Sequence, residues 1–304
     1  MADQKIDIAS DQKPTKKGRG DRRDGRWIRD IDGFHVVMMN LFPNRTEAEV
    51  YSKEQFDVTE LLKLVEERNA ADPDLQTKAF HVFVAAIAKT LWHRQTLNRF
   101  VAGRRMYQRH DLTFAFVVKR QFSDHAEELL LTMKVDGDTT LSDISRKILG
   151  ETKEMRESGT SDVDGIINTF AKTPRFVQRI AMRAFRILDF YGMMPKFMTD
   201  GDTNYVSVLL SNLGSIKADA AYHHLNNYGT NSIMMTIGEI HKEQILSKEG
   251  LPVIRDVVNF GINVDERIAD GFYFAKSMKI MRHIIEHPRM LEAPLKETIG
   301  YDGE

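Results

Sequence analysis

Asp265-Glu266-Arg267-Ile268-Ala269-Asp270-Gly271 joins two segments of opposite periodicity. Residues 252–264 (PVIRDVVNFGINV), before it, are rich in β-branched side chains and read as a strand. Phe272 to Glu286, after it, repeats apolar residues at helical spacing until Pro288 stops the run. Asp270, just ahead of that helix, is placed to accept N–H bonds from its first turn. Upstream, Ser211-Asn212-Leu213-Gly214-Ser215 closes another expected strand, 204–211 (NYVSVLLS).

Nearer the N-terminus, Ala48 to Phe56 favours an extended strand, and Asp57-Val58-Thr59-Glu60 has the form of a capping box opening a helix. Val58, Leu61, Leu62 and Val65 continue that helix, and Phe80, Val84, Ile87 and Leu91 mark a second one over Thr77 to His93. Residues 111–120 and 127–135 read as neighbouring strands, Leu141, Ile144, Ile148 and Leu149 as a further helix, and 231–240 as another strand. Strands and helices interleave without a repeat or a linker, which predicts an α/β domain with a large mixed sheet covered by helices. No glycine-rich nucleotide fingerprint accompanies them.

A chain of 304 residues, 42% hydrophobic and 29% charged, can bury a full core. Its 43 basic and 44 acidic side chains nearly cancel, so no global field recruits nucleic acid. The absence of cysteine excludes thiol nucleophiles, thiolate metal sites and disulfides. No stretch resembles a signal-peptide core or a membrane span of roughly 18 apolar residues, and the expected location is the cytoplasm. Residues 1–25 are charged with almost nothing to bury, which predicts a disordered, solvated tail, with order beginning near Trp27 and one domain over 26–304. The basic cluster Lys16 to Arg23 is interrupted by Asp21 and Asp24, which favours a solubilising tail over an RNA- or lipid-binding arm.

In order and spacing, the Ser211 and Asp265 stretches resemble the S-N-L-G and D-H-R-x-x-D-G segments of the 2-oxo acid dehydrogenase acyltransferase (dihydrolipoyl acyltransferase) catalytic domain. That domain belongs to the chloramphenicol acetyltransferase-like superfamily. Phe56 to Leu62 is similar to the family's D-V-T-x-L-L helix start, Thr96-Leu97-Asn98 to its P-x-L-N segment, and Phe274 to Leu291 to its terminal helix. The likeness spans about residues 45–145 and 204–292. It implies a chloramphenicol acetyltransferase-like mixed-sheet sandwich with covering helices, assembled as a homotrimer with active sites between subunits. It also implies CoA-dependent transfer of an acyl group from a thioester to a thiol, hydroxyl or amine acceptor. Ser211 then falls on the hydroxyl that stabilises the tetrahedral oxyanion, a donor worth on the order of 3 kcal/mol. Asp270 falls on an organiser of the active-site loop. No residue is assigned to holding CoA, and no metal is expected.

Glu266 stands where the family keeps its catalytic histidine. A glutamate is roughly two units less basic than a histidine, and each unit removes about 1.4 kcal/mol of driving force for accepting a proton. Burial, Asp265 and Asp270 would favour its protonated form; Arg267 and the helix N-terminus would favour the anion. Three readings follow. Glu266 is a working base for a different acceptor; or it is an ion-paired structural residue in a catalytically inactive trimeric acyl-CoA-binding or scaffold protein; or another group supplies the base. His223 and His224, in Ala221-Tyr222-His223-His224-Leu225, are the nearest candidates for the third, ranked below Glu266.

Full-length dihydrolipoyl acyltransferases carry a lipoyl domain that residues 1–44 do not accommodate, so this chain is expected to carry no lipoyl group and to meet small-molecule donors and acceptors. Residues 150–203 depart from the family length and read as a helical insertion. Within it, Phe176, Ile180, Ala184, Leu188 and Tyr191 form an apolar stripe and Arg175, Arg179, Arg183 and Arg186 a basic one, ended by Gly192 and Pro195. Such a helix suits a peripheral membrane or partner-helix contact through residues 170–198; packing on the sheet or trimer interface, lining the acceptor channel, is the favoured alternative.

Overall fold

The computed structural model describes residues 18–119, 128–158, 170–246 and 250–301. Its main sheet has the order β2 (Glu49–Asp57), β10 (Pro252–Asp265), β8 (Ile233–Ile237), β7 (Val208–Asn212), β5 (Leu112–Lys119) and β6 (Glu128–Val135), with β9 (His241–Leu246) pairing the first half of β10. The β5–β7 and β7–β8 pairs are parallel, while β2, β6, β8 and β9 pair antiparallel to their neighbours β10 or β5. A small antiparallel sheet, β1 (Gly25–Trp27), β4 (Arg105–Arg109) and β3 (Arg99–Ala102), flanks it.

One face of the main sheet is covered by helices. β10 shows why: Val258, Phe260, Ile262 and Val264 alternate into the core, while Asn259, Gly261, Asn263 and Asp265 turn to the other face. α3 (Ala79–His93) is the central helix, buried from His81 to Leu91 and packed against α2 (Thr59–Ala71), α4 (Leu141–Ser158) and α7 (Gly271–Glu286). The start of α2 uses half of the expected capping box: Asp57 accepts from the Thr59 N–H at 2.9 Å, but Glu60 pairs with Lys63 at 2.7 Å instead of reaching back.

The other face is covered by irregular chain. β7 and β8 are parallel neighbours, so the chain leaving the top of β7 must return across one face of the sheet before entering β8. It does so as an extended strap, residues 217–232, held by its backbone. The Glu239 N–H donates to the Ala218 carbonyl at 3.0 Å, the Thr236 hydroxyl donates to the Ala221 carbonyl, and Asn263 holds His223 from both sides.

The structure adds elements that periodicity did not reveal: α1 (Gly33–Leu41), the small sheet and β9. The β3–β4 turn needs positive φ at both Gly103 (+57°) and Arg104 (+58°), and a side chain at Gly103 would strike the Phe190 carbonyl. The charged stretch assigned by composition to a solvated tail reaches into the body. Arg22 is only 6% exposed, with its guanidinium on Asp24 (3.0 Å) and the Asp189 carbonyl (2.6 Å), because aspartates far apart in sequence neutralise it. The remainder of that tail, residues 1–17, and the insertion's residues 159–169 lie outside the described residues.

The insertion forms α5 (Arg175–Phe190) and α6 (Lys196–Thr199). α5 is not packed on the sheet within one copy of the chain. Most of its side chains are exposed, and its anchor is the C-terminal end. There the buried Asp189 carboxylate accepts from the Tyr205 hydroxyl at 2.7 Å and the Gly229 N–H at 3.1 Å. Burial and that carboxylate push the Tyr205 phenol well above its ordinary range. Gly192, at φ +68°, ends the helix as expected.

Candidate active site

The last turn of β10 fixes the backbone of Glu266. Its N–H donates to the Ala48 carbonyl at 2.9 Å, and Glu266–Ile268 form a single 3-10 turn. Asp265, fully buried, binds the Arg267 guanidinium through both oxygens, at 2.8 and 2.7 Å, and has Arg45 at 3.7 Å. Arg267 is 2% exposed and also donates to the Phe42 carbonyl at 2.7 Å. The arginine expected to neutralise Glu266 is therefore committed to Asp265. The half-buried Glu266 carboxylate has no hydrogen-bond or ion-pair partner among the described residues. Asp270 is exposed and caps α7, accepting from the Tyr273 N–H at 2.7 Å.

Ser211 lies near the C-terminal end of β7, on the face away from the helices. It is half-buried, and its hydroxyl has no partner among the described residues. Its register partner on β8 is Thr236, which faces Gly261 on β10. From Gly261 the strand runs on to Asp265, so Ser211 and the Glu266 turn stand at opposite ends of the sheet. Four residues of strand and two strand spacings separate them by something on the order of 16 Å.

The strap brings the His223–His224 pair to the Glu266 end. Asn263, completely buried, accepts from the His223 N–H at 3.2 Å and donates to the His223 carbonyl. The Leu225 N–H donates to the Glu49 carboxylate, and Glu49 is the register partner of Asp265. Both rings are exposed. His223 Nδ1 lies 2.9 Å from the His224 backbone nitrogen and 3.2 Å from the His224 carbonyl oxygen, and His224 Nδ1 lies 3.4 Å from the Leu225 carbonyl oxygen.

Sequence reasoning found Ser211, Glu266 and Asp270 but not Glu49, Asn263 or Arg45, which hold the strap and the Asp265 turn at the Glu266 end. Asn263 alone left a trace, as a polar residue inside the apolar run of β10. Among the described residues no group of three histidine or carboxylate side chains is placed to hold a metal ion.

Residues 197–293 match the family model described as 2-oxoacid dehydrogenases acyltransferase (catalytic domain). The match contains Ser211, Glu266 and Asp270, whereas the likeness over 45–145 is carried by the fold alone. No curated protein sequence matches the chain. Among solved structures, the chain is similar to a probable dihydrolipoamide acetyltransferase from Listeria monocytogenes, with 14% identity and a TM-score of 0.57 over 86% of this chain and 95% of that one. The cubic core of the pyruvate dehydrogenase multienzyme complex gives 14% and 0.56 over 87% and 93%, and a chloramphenicol acetyltransferase 11% and 0.51 over 86% and 99%. Over residues 197–293, then, the chain matches the acyltransferase catalytic domain of the 2-oxoacid dehydrogenases, and its described body has the fold of dihydrolipoamide acetyltransferase and chloramphenicol acetyltransferase.

Proposed function

We propose that the protein transfers an acyl group from a CoA thioester to a thiol, hydroxyl or amine acceptor, at sites formed between copies of the chain in a homotrimer. The observation that carries this reading is the pair of unpartnered groups, the Ser211 hydroxyl and the Glu266 carboxylate, at opposite ends of one sheet. Neither group is used to hold the fold together, and two copies set end to end bring one of each to a shared carbonyl. In that arrangement Glu266 takes the acceptor proton as the acceptor attacks the thioester carbonyl. Ser211 donates to the oxyanion, and collapse expels the CoA thiolate, which takes up the proton. The Asp265–Arg267 pair holds the Glu266 backbone, and Asp270 holds the first turn of α7. The acceptor in this reading is a small molecule or a group borne by a protein.

A second assignment of the base is the His223–His224 pair, which the strap holds at the Glu266 end. The purified protein, given a panel of acyl-CoAs and of thiol, amine and hydroxyl acceptors, releases free CoA. Glu266→Gln abolishes that release if Glu266 is the base; if His223→Asn or His224→Asn abolishes it and Glu266→Gln does not, a histidine is. No turnover with any donor despite tight CoA binding would replace the enzyme with an acyl-CoA-binding or scaffold protein, and activity gained only by Glu266→His would mark a lost enzyme.

A further inference from the structure

The insertion helix α5 has no part in the site described above, yet it is the most strongly two-sided helix among the described residues. Gln178, Ala181, Phe185 and Leu188 recur at helical spacing as its partly covered ridge. The ridge that points away carries Phe176 (66% exposed), Ile180 (65%) and Ile187 (57%), with Tyr191 (67%) just past the helix end. Beside it run Arg175, Arg179, Arg183 and Arg186, all exposed and none with an ion-pair partner among the described residues. The one carboxylate from 170 to 199, Asp189, is buried and committed to Arg22, Tyr205 and Gly229. Four unneutralised guanidinium groups therefore flank a row of large apolar side chains along roughly 24 Å of helix.

Two kinds of surface could cover such a ridge, and the charge separates them. Contacts between copies deplete charge at their centres, which four arginines on one helix do not suit. The fold already offers an apolar surface better suited to self-association, since α1 exposes Phe34, Val37 and Leu41 and contains no Lys, Arg, Asp or Glu. α5 instead pairs apolar burial with cation density, which matches the boundary between acyl chains and anionic headgroups. Among the described residues no helix is long and apolar enough to cross a membrane, so the helix would lie on the surface. We propose that α5 is a membrane-surface helix, that its Phe176–Ile180–Ile187 ridge enters the headgroup region of an anionic bilayer, and that Arg175, Arg179, Arg183 and Arg186 bind lipid phosphates. The acyltransferase would thereby be held beside a lipid surface, whichever group serves as its base.

The full chain is mixed at low salt with vesicles of phosphatidylcholine alone and of phosphatidylcholine containing phosphatidylglycerol, then sedimented. It pellets with the anionic vesicles, and added salt weakens the binding. Arg179→Gln/Arg183→Gln lowers the partition coefficient roughly thirtyfold, and Ile180→Glu/Ile187→Glu abolishes binding while the circular dichroism spectrum and oligomeric state stay unchanged. Absence of pelleting with anionic vesicles at low salt overturns the proposal, as does binding that does not discriminate between the two vesicle types. Dissociation of the oligomer by Ile180→Glu/Ile187→Glu also overturns it and assigns the ridge to a second copy of the chain. The CoA-release assay is independent of all these outcomes.

Discussion

Arg267 shows how one buried charge decides the availability of another. Its guanidinium satisfies Asp265 through two hydrogen bonds at full burial, which leaves Glu266 one residue away with no cation. Arg267→Met would strand the Asp265 carboxylate, with Arg45 at 3.7 Å as its remaining neighbour, and should cost about 3–5 kcal/mol in urea unfolding. Ser211→Ala removes a donor that meets charge only in the transition state, so kcat should fall about 10²–10³-fold with KM little changed in the CoA-release assay. Both Ser211 and Glu266 were readable in the sequence because short motifs mark them. The contacts that hold the strap beside Glu266 were not. Glu49 reaches Leu225 across 176 positions and Asn263 reaches His223 across 40, and no local pattern encodes such pairings.

At the scale of elements, long regular patterns survived translation into structure and short or mixed ones did not. α3, β10 and α7 each present a sustained apolar alternation and were expected nearly in full. β1 and β3 are too short to show a period, β9 alternates mostly polar residues, and α1 is apolar without a polar face. α3 carries its own pH dependence. Burial, with Lys78 nearby, pulls the His81 imidazole from its ordinary 6.5 down to about 4, and its Nδ1 accepts from the Lys78 N–H. The unfolded chain binds that proton first, so stability is complete above about pH 6.5 and is lost as the pH falls toward 4. The melting temperature should therefore drop less between pH 7 and pH 4 in His81→Gln than in the parent. Asn263 is one of several groups that fasten the strap, and the one that holds His223. Asn263→Ala should loosen His223–His224, raising amide exchange over residues 221–225 while β10 stays protected.

The whole molecule sets Ser211 and the Glu266 turn at opposite ends of its sheet, and the proposed shared site has a genetic test. Ser211→Ala and Glu266→Gln chains, each inactive alone, should regain activity when co-expressed, to about a quarter of the parent level for random mixing in a cyclic assembly. A site contained in one chain gives none. The sheet order also has a consequence for the birth of the protein. β2 emerges early, but among the described residues its one strand partner is β10, with Asp57 opposite Val257. At ribosomal speeds of roughly 5–20 residues per second, the strand waits on the order of 10–40 s with both edges open. β5 can fold onto β6 at once, but its other edge waits for β7 beyond the insertion. The same late strand that carries Glu266 to its place is thus the one that closes the nascent sheet. A chain stopped before residue 252 should be captured by chaperones or aggregate, whatever its catalytic residues.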